Sequence, residues 1–417
     1  MSGPSGVREF CKPSAGRERP PSFLLICDEW SPTRGGISRF NRSLAAALAA
    51  AGHRTLCLVE SATVQDFQDA AARGVTLCTA ESTPDGPNLY VPSAAVLAAQ
   101  PDVVIGHDIV SGSVAQTYAR RYLQAALVYI IHTPPQIEVY KRDEATQRTE
   151  QRELRTRKIS EDADVVAAVG PLLTRGAESF VSNGYDSDCV LQLDPGMDVP
   201  TNLPQRRRRI PAAPTVLVLG RGTHVQAKGL DIAARAVAGV TTQHGRPSPG
   251  LLVQGGPVDG CDALRRTLVA ESGLARDQVD VRAFTGDLDQ VAHSLRRAAL
   301  CLMPSRVEGF GLASLEAIGH GTPVLVTAKS GLAETLRSHL GTLAEPMIVD
   351  VTDNLAEDVP RWRDAIQRLL DDLPSAFDYT HDVRERLRKV LCWDATVSRL
   401  VTRLDLSVSH RELVNQS

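Results

Sequence analysis

Short apolar runs separated by stretches with helical spacing recur along this chain, and this alternation restricts its possible folds more than any other feature. The runs cover 22–27, 55–59, 102–106, 126–131, 164–169 and 189–193, and then 215–220, 250–255, 278–284, 299–304 and 322–327. Continuous apolar runs of this length are typical of parallel strands that are buried on both faces. We therefore predict an α/β protein built from doubly wound, Rossmann-like parallel sheets.

A stretch rich in Pro and Arg interrupts the alternation and divides the chain into two comparable series. Because 417 residues exceed what one core usually supports, two domains are expected. We predict a disordered tail over 1–21, an N-terminal domain over 22–200, a linker over 201–214 and a C-terminal domain over 215–390. Residues 391–417 are expected to form a helix that returns to the N-terminal domain. The cleft between the domains is then the expected ligand site.

Composition indicates which kinds of partner are not expected and in which cellular compartment the protein acts. A formal charge of -3 gives no reason to expect nucleic-acid binding. No stretch approaches the ~20 apolar residues that span a bilayer, and residues 1–21 lack the apolar segment of a signal peptide. The eight cysteines form no Cys-x-x-Cys pair, which favours a reducing cytoplasm and no zinc site. The charged stretch 142–162 fits a solvated helix to which we assign no chemistry, and no feature indicates an oligomeric state.

Glycines and cations at two strand ends suggest a phosphate site. Gly35 and Gly36 lie between an apolar run and a helical pattern, where backbone N–H groups can approach a phosphate, although the pair could serve the turn alone. Arg221 and Lys228 follow the run 215–220 and suit a diphosphate, the alternative being two surface cations. Because open α/β sheets bind ligands at the carboxyl ends of their strands, we favour the diphosphate.

The stretch 301–327 carries the strongest signal. Glu308 lies in the loop after a predicted strand, and Gly309 and Gly311 free the backbone around it. Glu316 lies on the helix that follows. Ionised carboxylates accept hydrogen bonds from paired hydroxyls, so one glutamate can bind a sugar and the other a ribose. The alternative is a glycine-rich turn with solvated glutamates.

Residues 304–334 resemble the donor-site signature of family 4 retaining glycosyltransferases, in which seven residues separate two glutamates, as they do Glu308 and Glu316. A glycine-bearing loop, SGLAE at 330–334, follows. The resemblance spans most of 22–340 and includes the Gly35–Gly36 pair, the histidines of VVIGHDIVSG and VYIIHTPP, PGMD and GRGTHVQAKGLD. It implies a GT-B fold, in which two Rossmann-like domains face a cleft, and hexosyltransferase activity.

The resemblance also implies roles for individual residues. Arg221 and Lys228 hold the diphosphate, Glu308 contacts the transferred sugar and Glu316 binds the ribose. The implied donor-binding residues are Gly35, Gly36, Arg221, Lys228, Arg282, Phe284, Glu308, Gly309, Phe310, Gly311, Leu312 and Glu316. The implied catalytic residues are His107, Arg221, Lys228 and Glu308, and the implied acceptor residues are His132 and Thr133. For His107 the structural alternative is a histidine with satisfied hydrogen bonds at a strand end.

Three segments depart from the family pattern. In one of them, the HTPPQ sequence at 132–136 leads into the long charged helix, a local elaboration that could shape an unusual acceptor site. Family members usually separate the Arg and the Lys by fewer residues than lie between Arg221 and Lys228, and His224 lies in the longer loop. The SGLAE loop lacks the double glycine and proline that are often present.

The resemblance implies retention by front-face attack, in which the departing phosphate oxygen helps to deprotonate the acceptor hydroxyl. The DLD sequence at 287–289 is interpreted as a helix cap rather than a metal motif, so we expect no metal and no tightly bound cofactor. The expected co-substrate is a UDP-sugar, with GDP or ADP as alternatives, and the expected acceptor is a small molecule or a glycan. The other hypotheses are a nucleotide-sugar epimerase on the same scaffold and a non-catalytic nucleotide-sugar-binding sensor.

Overall fold

Two α/β domains, each built on one parallel sheet, form the described part of the protein. The computed structural model describes residues 19–33, 35–134, 145–181, 189–200, 213–220, 225–241 and 247–415. The predicted tail before residue 19 and the predicted linker residues 201–212 lie outside these ranges. The expected two-domain, Rossmann-like fold is confirmed.

The N-terminal domain contains a seven-stranded sheet. Its strands are β1 (Phe23–Ile26), β2 (Thr55–Val59), β3 (Val75–Thr79), β6 (Val103–His107), β7 (Ala126–Ile131), β8 (Val165–Val169) and β9 (Val190–Leu193). They lie in the order β3-β2-β1-β6-β7-β8-β9, and every pairing is parallel. A separate antiparallel hairpin joins β4 (Glu81–Thr83) to β5 (Gly86–Asn88). The helices are α1 (Gly36–Ala50), α2 (Val64–Ala72), α3 (Ala94–Ala99), α4 (Asp108–Thr117), α5 (Ala145–Asp162) and α6 (Pro171–Val181).

The C-terminal domain contains a six-stranded parallel sheet. Its strands are β10 (Thr215–Leu219), β11 (Gly250–Gly256), β12 (Val279–Ala283), β13 (Leu300–Met303), β14 (Val324–Thr327) and β15 (Ile348–Val349), in the order β12-β11-β10-β13-β14-β15. Its helices are α7 (Leu230–Ala238), α8 (Cys261–Ser272), α9 (Leu288–Arg297), α10 (Leu312–Gly319), α11 (Gly331–Leu340), α12 (Leu355–Asp371) and α13 (Leu373–Leu387). Asp287 accepts hydrogen bonds from the backbone N–H groups of Asp289 and Gln290, which confirms the predicted cap of α9.

The last helix, α14 (Trp393–Asn415), packs against α1 and β9 of the N-terminal domain. The rings of Trp393 and Phe40 lie 5.2 Å apart between centroids, and Trp393 Nε1 donates to Asp198 Oδ1 at 3.2 Å. Thr396 Oγ1 donates to the carbonyl oxygen of Asp194. The chain therefore crosses from one domain to the other twice.

The strand order places a switch point in each sheet. The order reverses between β1 and β6 in the first sheet and between β10 and β13 in the second. In open α/β sheets, ligands bind at the carboxyl ends of the strands that flank such a point. The loops that follow β1, β6, β10 and β13 lead to Gly35, Asp108, Lys228 and Glu308 respectively. Residues far apart in sequence thus meet at one edge of each sheet.

Candidate functional site

A cleft of about 450 Å³ lies between the domains and is lined by both. The N-terminal domain contributes Gly35, Gly36, Arg39, Asp108, His132, Thr133 and Arg152, among others. The C-terminal domain contributes Lys228, Phe284, Glu308, Gly309, Phe310, Gly311, Leu312 and Glu316, among others. The volume falls in the range of small-molecule sites, so a ligand of moderate size can be enclosed between the sheets.

Lys228 and Glu308 form an ion pair inside this cleft. Lys228 Nζ lies 2.7 Å from Glu308 Oε2, and their side chains are 23% and 16% exposed. Ser305 Oγ donates to the same carboxylate oxygen at 3.2 Å. Lys228, predicted to bind phosphate, and Glu308, predicted to bind the sugar, thus neutralise each other's charge.

A buried arginine fixes the loop that presents Lys228. Arg306 makes a bidentate ion pair with Asp231, with both N–O distances at 2.8 Å. Its Nη1 also donates to the carbonyl oxygen of Gln226 at 2.7 Å, and its backbone N–H donates to that of Ala227 at 2.9 Å. Because a planar guanidinium in bidentate contact restricts both partners, the loop that ends at Lys228 is anchored to the end of β13.

The SGLAE segment supports the loop that carries Glu308. The backbone N–H groups of Gly331 and Leu332 donate to the carbonyl oxygens of Gly309 and Phe310 at 2.9 and 2.7 Å. Gly311 has a φ of 106°, a conformation that favours glycine, and α10 begins at the next residue. The segment does not line the cleft, and it acts on the site through the backbone of 309–310.

Two glycines allow the domains to approach closely here. A Cβ atom at Gly309 would lie 2.6 Å from the carbonyl oxygen of His132, and one at Gly170 would lie 2.4 Å from Cδ2 of Phe310. In both pairs the partners come from different domains. Phe310 is 3% exposed and belongs to the same apolar cluster as Leu173 of α6. The described contacts therefore correspond to a closed cleft.

The first turn of α1 reaches the C-terminal domain. A Cβ atom at Gly36 would lie 3.2 Å from Cδ1 of Leu312, so glycine here also serves the contact between domains. One turn further, Arg39 Nη1 lies 2.6 Å from Glu316 Oε2. Burial raises the pKa of Glu316, and Arg39 opposes this shift. The residue predicted to bind a ribose is thus already bound to the opposite domain.

Two histidines and an asparagine form a hydrogen-bonded chain. His107 Nε2 lies 2.9 Å from Asn41 Oδ1, and His107 Nδ1 lies 2.9 Å from His132 Nε2. Burial lowers the pKa of His107 to about 3 and that of His132 well below its usual value, so both rings are neutral at pH 7. We assign the Asn41 amide nitrogen to Cys57 Sγ at 3.4 Å, so Asn41 Oδ1 must accept from His107 Nε2–H. His107 Nδ1 then accepts from His132 Nε2–H, and His132 Nδ1 keeps its lone pair.

The two histidines of this hydrogen-bonded chain differ in their access to the cleft. His107 is fully buried and does not line the cleft, because α1 and the His132 ring cover it. His132 is partly exposed and does line the cleft. The structure therefore places the side chain of His132, and not that of His107, in the lining of the cleft.

Of the remaining predicted residues, two line the cleft, one does not, and two lie outside the described residues. Phe284 and Thr133 line the cleft. The Arg282 side chain is 51% exposed, pairs with Asp280 at 2.8 Å and is not part of the lining. Arg221 and His224 lie outside the described residues.

Three charged residues of the cleft, Arg39, Asp108 and Arg152, were not predicted from the sequence. Asp108 and Arg152 form a buried pair with 2.7 Å between Oδ2 and Nη2. Burial raises the pKa of Asp108, and the neighbouring Arg152 opposes the shift. Arg152 lies on α5, which the sequence predicted to be a solvated helix. Its partner is 44 residues away, so the charge pattern of the helix alone could not identify it.

Comparison with known proteins identifies relatives over most of the chain. Residues 24–400 match the family model described as "Family 4 Glycosyltransferase in conflict systems". A D-inositol 3-phosphate glycosyltransferase from Acidothermus cellulolyticus is 30% identical over 374 residues, covering 81% of this chain and 78% of the relative. The same-named protein of Stackebrandtia nassauensis is 31% identical, covering 66% of this chain and 63% of the relative.

Solved structures resemble the fold over nearly the whole chain. A sucrose-phosphate synthase from Thermosynechococcus elongatus superposes with a TM-score of 0.66 at 22% identity, covering 95% of this chain and 100% of that one. HepE from Anabaena, solved in complex with UDP and glucose, gives a TM-score of 0.67 at 15% identity, with 92% and 99% covered. At these identities the likeness concerns the fold. In the described part of this chain, no helix is both long and apolar enough to cross a membrane.

Proposed function

The chain belongs to the family 4 glycosyltransferases of conflict systems, and on this premise we propose that it transfers a sugar from a nucleoside diphosphate sugar to an acceptor hydroxyl with retention of configuration. The observation that carries the proposal is the Lys228–Glu308 pair, which lies in the cleft with Glu316. UDP is the first candidate nucleotide, since the HepE neighbour was solved with UDP and glucose.

When the donor binds, Lys228 and Glu308 separate and each binds a different part of the donor. A diphosphate carries more charge than a single carboxylate, so Lys228 moves from Glu308 to the phosphate oxygens. Glu308 then accepts hydrogen bonds from the hydroxyls of the transferred sugar. Because Lys228 also stabilises the charge that develops on the leaving diphosphate, it acts on the transition state as well as on binding. Arg221, which the resemblance also assigns to the diphosphate, lies outside the described residues.

The acceptor attacks on the face from which the diphosphate leaves. The carboxylates that line the described cleft are Asp108, Glu308 and Glu316, and each is paired with a cation. With Glu308 and Glu316 bound to donor hydroxyls and Asp108 paired with Arg152, the proposed reaction uses no carboxylate nucleophile, and the departing phosphate oxygen takes the proton of the acceptor hydroxyl. The lone pair on His132 Nδ1 accepts a hydrogen bond from a sugar hydroxyl and orients the ring.

We also propose that transfer needs no divalent metal, since Lys228 is already placed to neutralise the leaving group. Among the described residues no group of three His, Cys, Asp or Glu side chains could hold a metal ion. Activity should therefore persist in excess EDTA. A return to full rate only after Mg²⁺ or Mn²⁺ is added would contradict this part of the proposal.

The first experiment measures donor recognition. Purified protein is heated with UDP-, GDP- and ADP-sugars, and a stabilising shift in melting temperature identifies the donor, because a ligand stabilises the state that it binds. Nucleotide release is then followed with and without acceptor mixtures, and the anomeric configuration of the product is read by NMR. Inverted product would overturn the retaining mechanism.

Single substitutions inside and outside the cleft test which residues take part in sugar transfer. Glu308→Ala is expected to lower kcat/KM by about 100-fold or more while the melting temperature is nearly unchanged. Lys228→Ala is expected to weaken nucleotide binding as well as turnover. The controls are Glu345→Ala and Lys329→Ala, which remove exposed members of ion pairs outside the cleft. Wild-type turnover in both cleft variants would remove the donor-site assignment.

The same assay separates the two other hypotheses. An epimerase would return a changed nucleotide sugar in the absence of acceptor. A non-catalytic sensor would show the melting shift but no nucleotide release with any acceptor mixture.

A further inference from the structure

The wall of the cleft formed by the N-terminal domain contains a buried ion pair outside the donor chemistry. Asp108 begins α4 directly after β6, with a φ of 48° that is unusual for a residue other than glycine. Arg152 reaches it from α5, and the two side chains are 1% and 7% exposed. Both line the cleft next to His132 and Thr133, which the resemblance assigns to the acceptor side.

The charges of the described cleft are balanced. Its lining cations are Arg39, Arg152 and Lys228, and each lies within 2.7 Å of a lining carboxylate. Lys228 and Arg39 pair with Glu308 and Glu316, the residues proposed to receive the donor. Arg152 differs, because its partner Asp108 has no part in donor binding. The cation beside the acceptor position is thus neutralised within its own domain.

An anionic acceptor would have to separate this pair. If a phosphate took Arg152, the carboxylate of Asp108 would remain buried without its cation, which is strongly unfavourable. The Asp108 carboxylate also interacts with the Thr133 hydroxyl and the Ile109 backbone N–H, both of which lower its pKa against the effect of burial, while Oδ1 makes no hydrogen bond of strict geometry with a described residue. A carboxylate oxygen in this state repels a phosphate and accepts a hydrogen bond from a hydroxyl.

Building on the proposed function, we propose that Asp108 makes this an acceptor site for an uncharged polyol and excludes phosphate esters. The relatives named D-inositol 3-phosphate glycosyltransferases have, by that name, a phosphorylated acceptor. This chain then shares their donor chemistry but differs in the charge of the acceptor. Asp108 is the specificity-determining residue, and Arg152 holds it in place.

The first test uses the full chain saturated with UDP, so that the donor site cannot bind added phosphate. Inorganic phosphate is titrated into the wild type, Asp108→Asn and the double variant Asp108→Asn/Arg152→Gln by calorimetry. We expect Asp108→Asn to bind phosphate at least 10-fold more tightly than the wild type, because Arg152 is released. The double variant should lose this gain. Equal phosphate affinity in the wild type and Asp108→Asn would overturn the proposal.

The second test does not depend on how well Asp108→Asn folds. Donor turnover by the wild type is measured with myo-inositol and other neutral polyols, and with their phosphate esters including myo-inositol 3-phosphate. We expect phosphate esters to give no more turnover than donor hydrolysis in both the wild type and Arg152→Gln. Turnover with a phosphate ester that Arg152→Gln abolishes would refute the proposal. A failure of the proposed function would differ, since UDP would then give no melting shift and no donor would be consumed.

Discussion

Arg39 Nη1 lies 2.6 Å from Glu316 Oε2, so a single ion pair joins α1 of the N-terminal domain to α10 of the C-terminal domain. Glu316 is 9% exposed, and its burial raises its pKa against the effect of Arg39. The carboxylate proposed to bind the ribose therefore also bridges the domains. The Glu316 side chain therefore takes part both in the proposed donor binding and in the contact between the domains.

The first prediction concerns this bridge. Arg39→Gln leaves a nearly buried carboxylate without its cation, and we expect it to reduce the free energy of unfolding by about 1–3 kcal/mol. Because the lost contact joins the domains, the radius of gyration measured by small-angle X-ray scattering should increase. The matched control is Arg42→Gln, on the same helix, whose partner Asp69 belongs to its own domain. If both variants scatter like the wild type, the pair does not hold the cleft closed.

The second prediction tests the closed cleft through a glycine. Gly170 has a φ of 79°, and a Cβ atom there would lie 2.4 Å from the ring of Phe310 in the other domain. Gly170→Ala should therefore force the domains apart and lower kcat/KM by about 10-fold or more, in addition to a backbone cost of about 1–2 kcal/mol.

A second glycine separates these two effects. Gly74 has a nearly identical φ of 73°, but a Cβ atom there makes only an ordinary contact of 3.4 Å with Ala49. Gly74→Ala should thus show the backbone cost and keep wild-type turnover. Equal kinetic losses in the two variants would show that the Phe310 contact is irrelevant to catalysis.

The third prediction is a dependence of stability on pH. The pKa of His107 is lowered from 6.5 to about 3 in the folded protein, so the unfolded chain binds a proton that the folded chain rejects. This contribution to stability is complete above pH 6.5 and is lost as the pH falls from 6.5 towards 3. We expect a loss of about 2 kcal/mol at pH 5 from His107, with His132 acting in the same direction. Denaturant unfolding between pH 7.5 and 5 should be less pH-dependent in His107→Gln, and parallel curves would contradict the assignment.

The fourth prediction concerns the attachment of α14. Trp393 packs on Phe40 and lies over Gly196, where an added Cβ atom would be 2.5 Å from the indole. Trp393→Ala should lower the free energy of unfolding by about 2–4 kcal/mol, because it leaves a cavity between α14 and the N-terminal domain. Val390→Ala, which changes a 43% exposed side chain just before this helix, is the control. Identical urea midpoints for the two variants would argue against this packing.

The strands were predictable where both faces are buried. The apolar runs match β1, β2, β6–β11, β13 and β14 closely, because such strands need apolar residues at nearly every position. The run 278–284 also matches β12, although buried and more exposed residues alternate in that strand. β3 was missed since its sequence, VTLCT, includes an exposed threonine among its buried residues. β15 was missed because two residues, Ile348 and Val349, are too short for a periodic pattern.

The strongest sequence signal for a cleft residue came from residues that are close in sequence. Glu308 and Glu316 share one loop and helix, so their spacing carried the signal. The pairs Arg39–Glu316 and Asp108–Arg152 join residues from separate elements, and no local pattern reports such contacts. The order of His107 and His132 in the hydrogen-bonded chain likewise depends on how β6 and β7 lie beside each other.

The position of α14 has a consequence for how this protein is made. Val397, Leu400 and Leu404 are buried, and this helix covers α1 and β9, which the ribosome synthesises much earlier. The whole C-terminal domain must therefore be translated before the N-terminal domain can close its apolar surface. Until then the nascent chain exposes that surface to aggregation. A helix that follows the C-terminal domain in the chain thus completes the domain that precedes it.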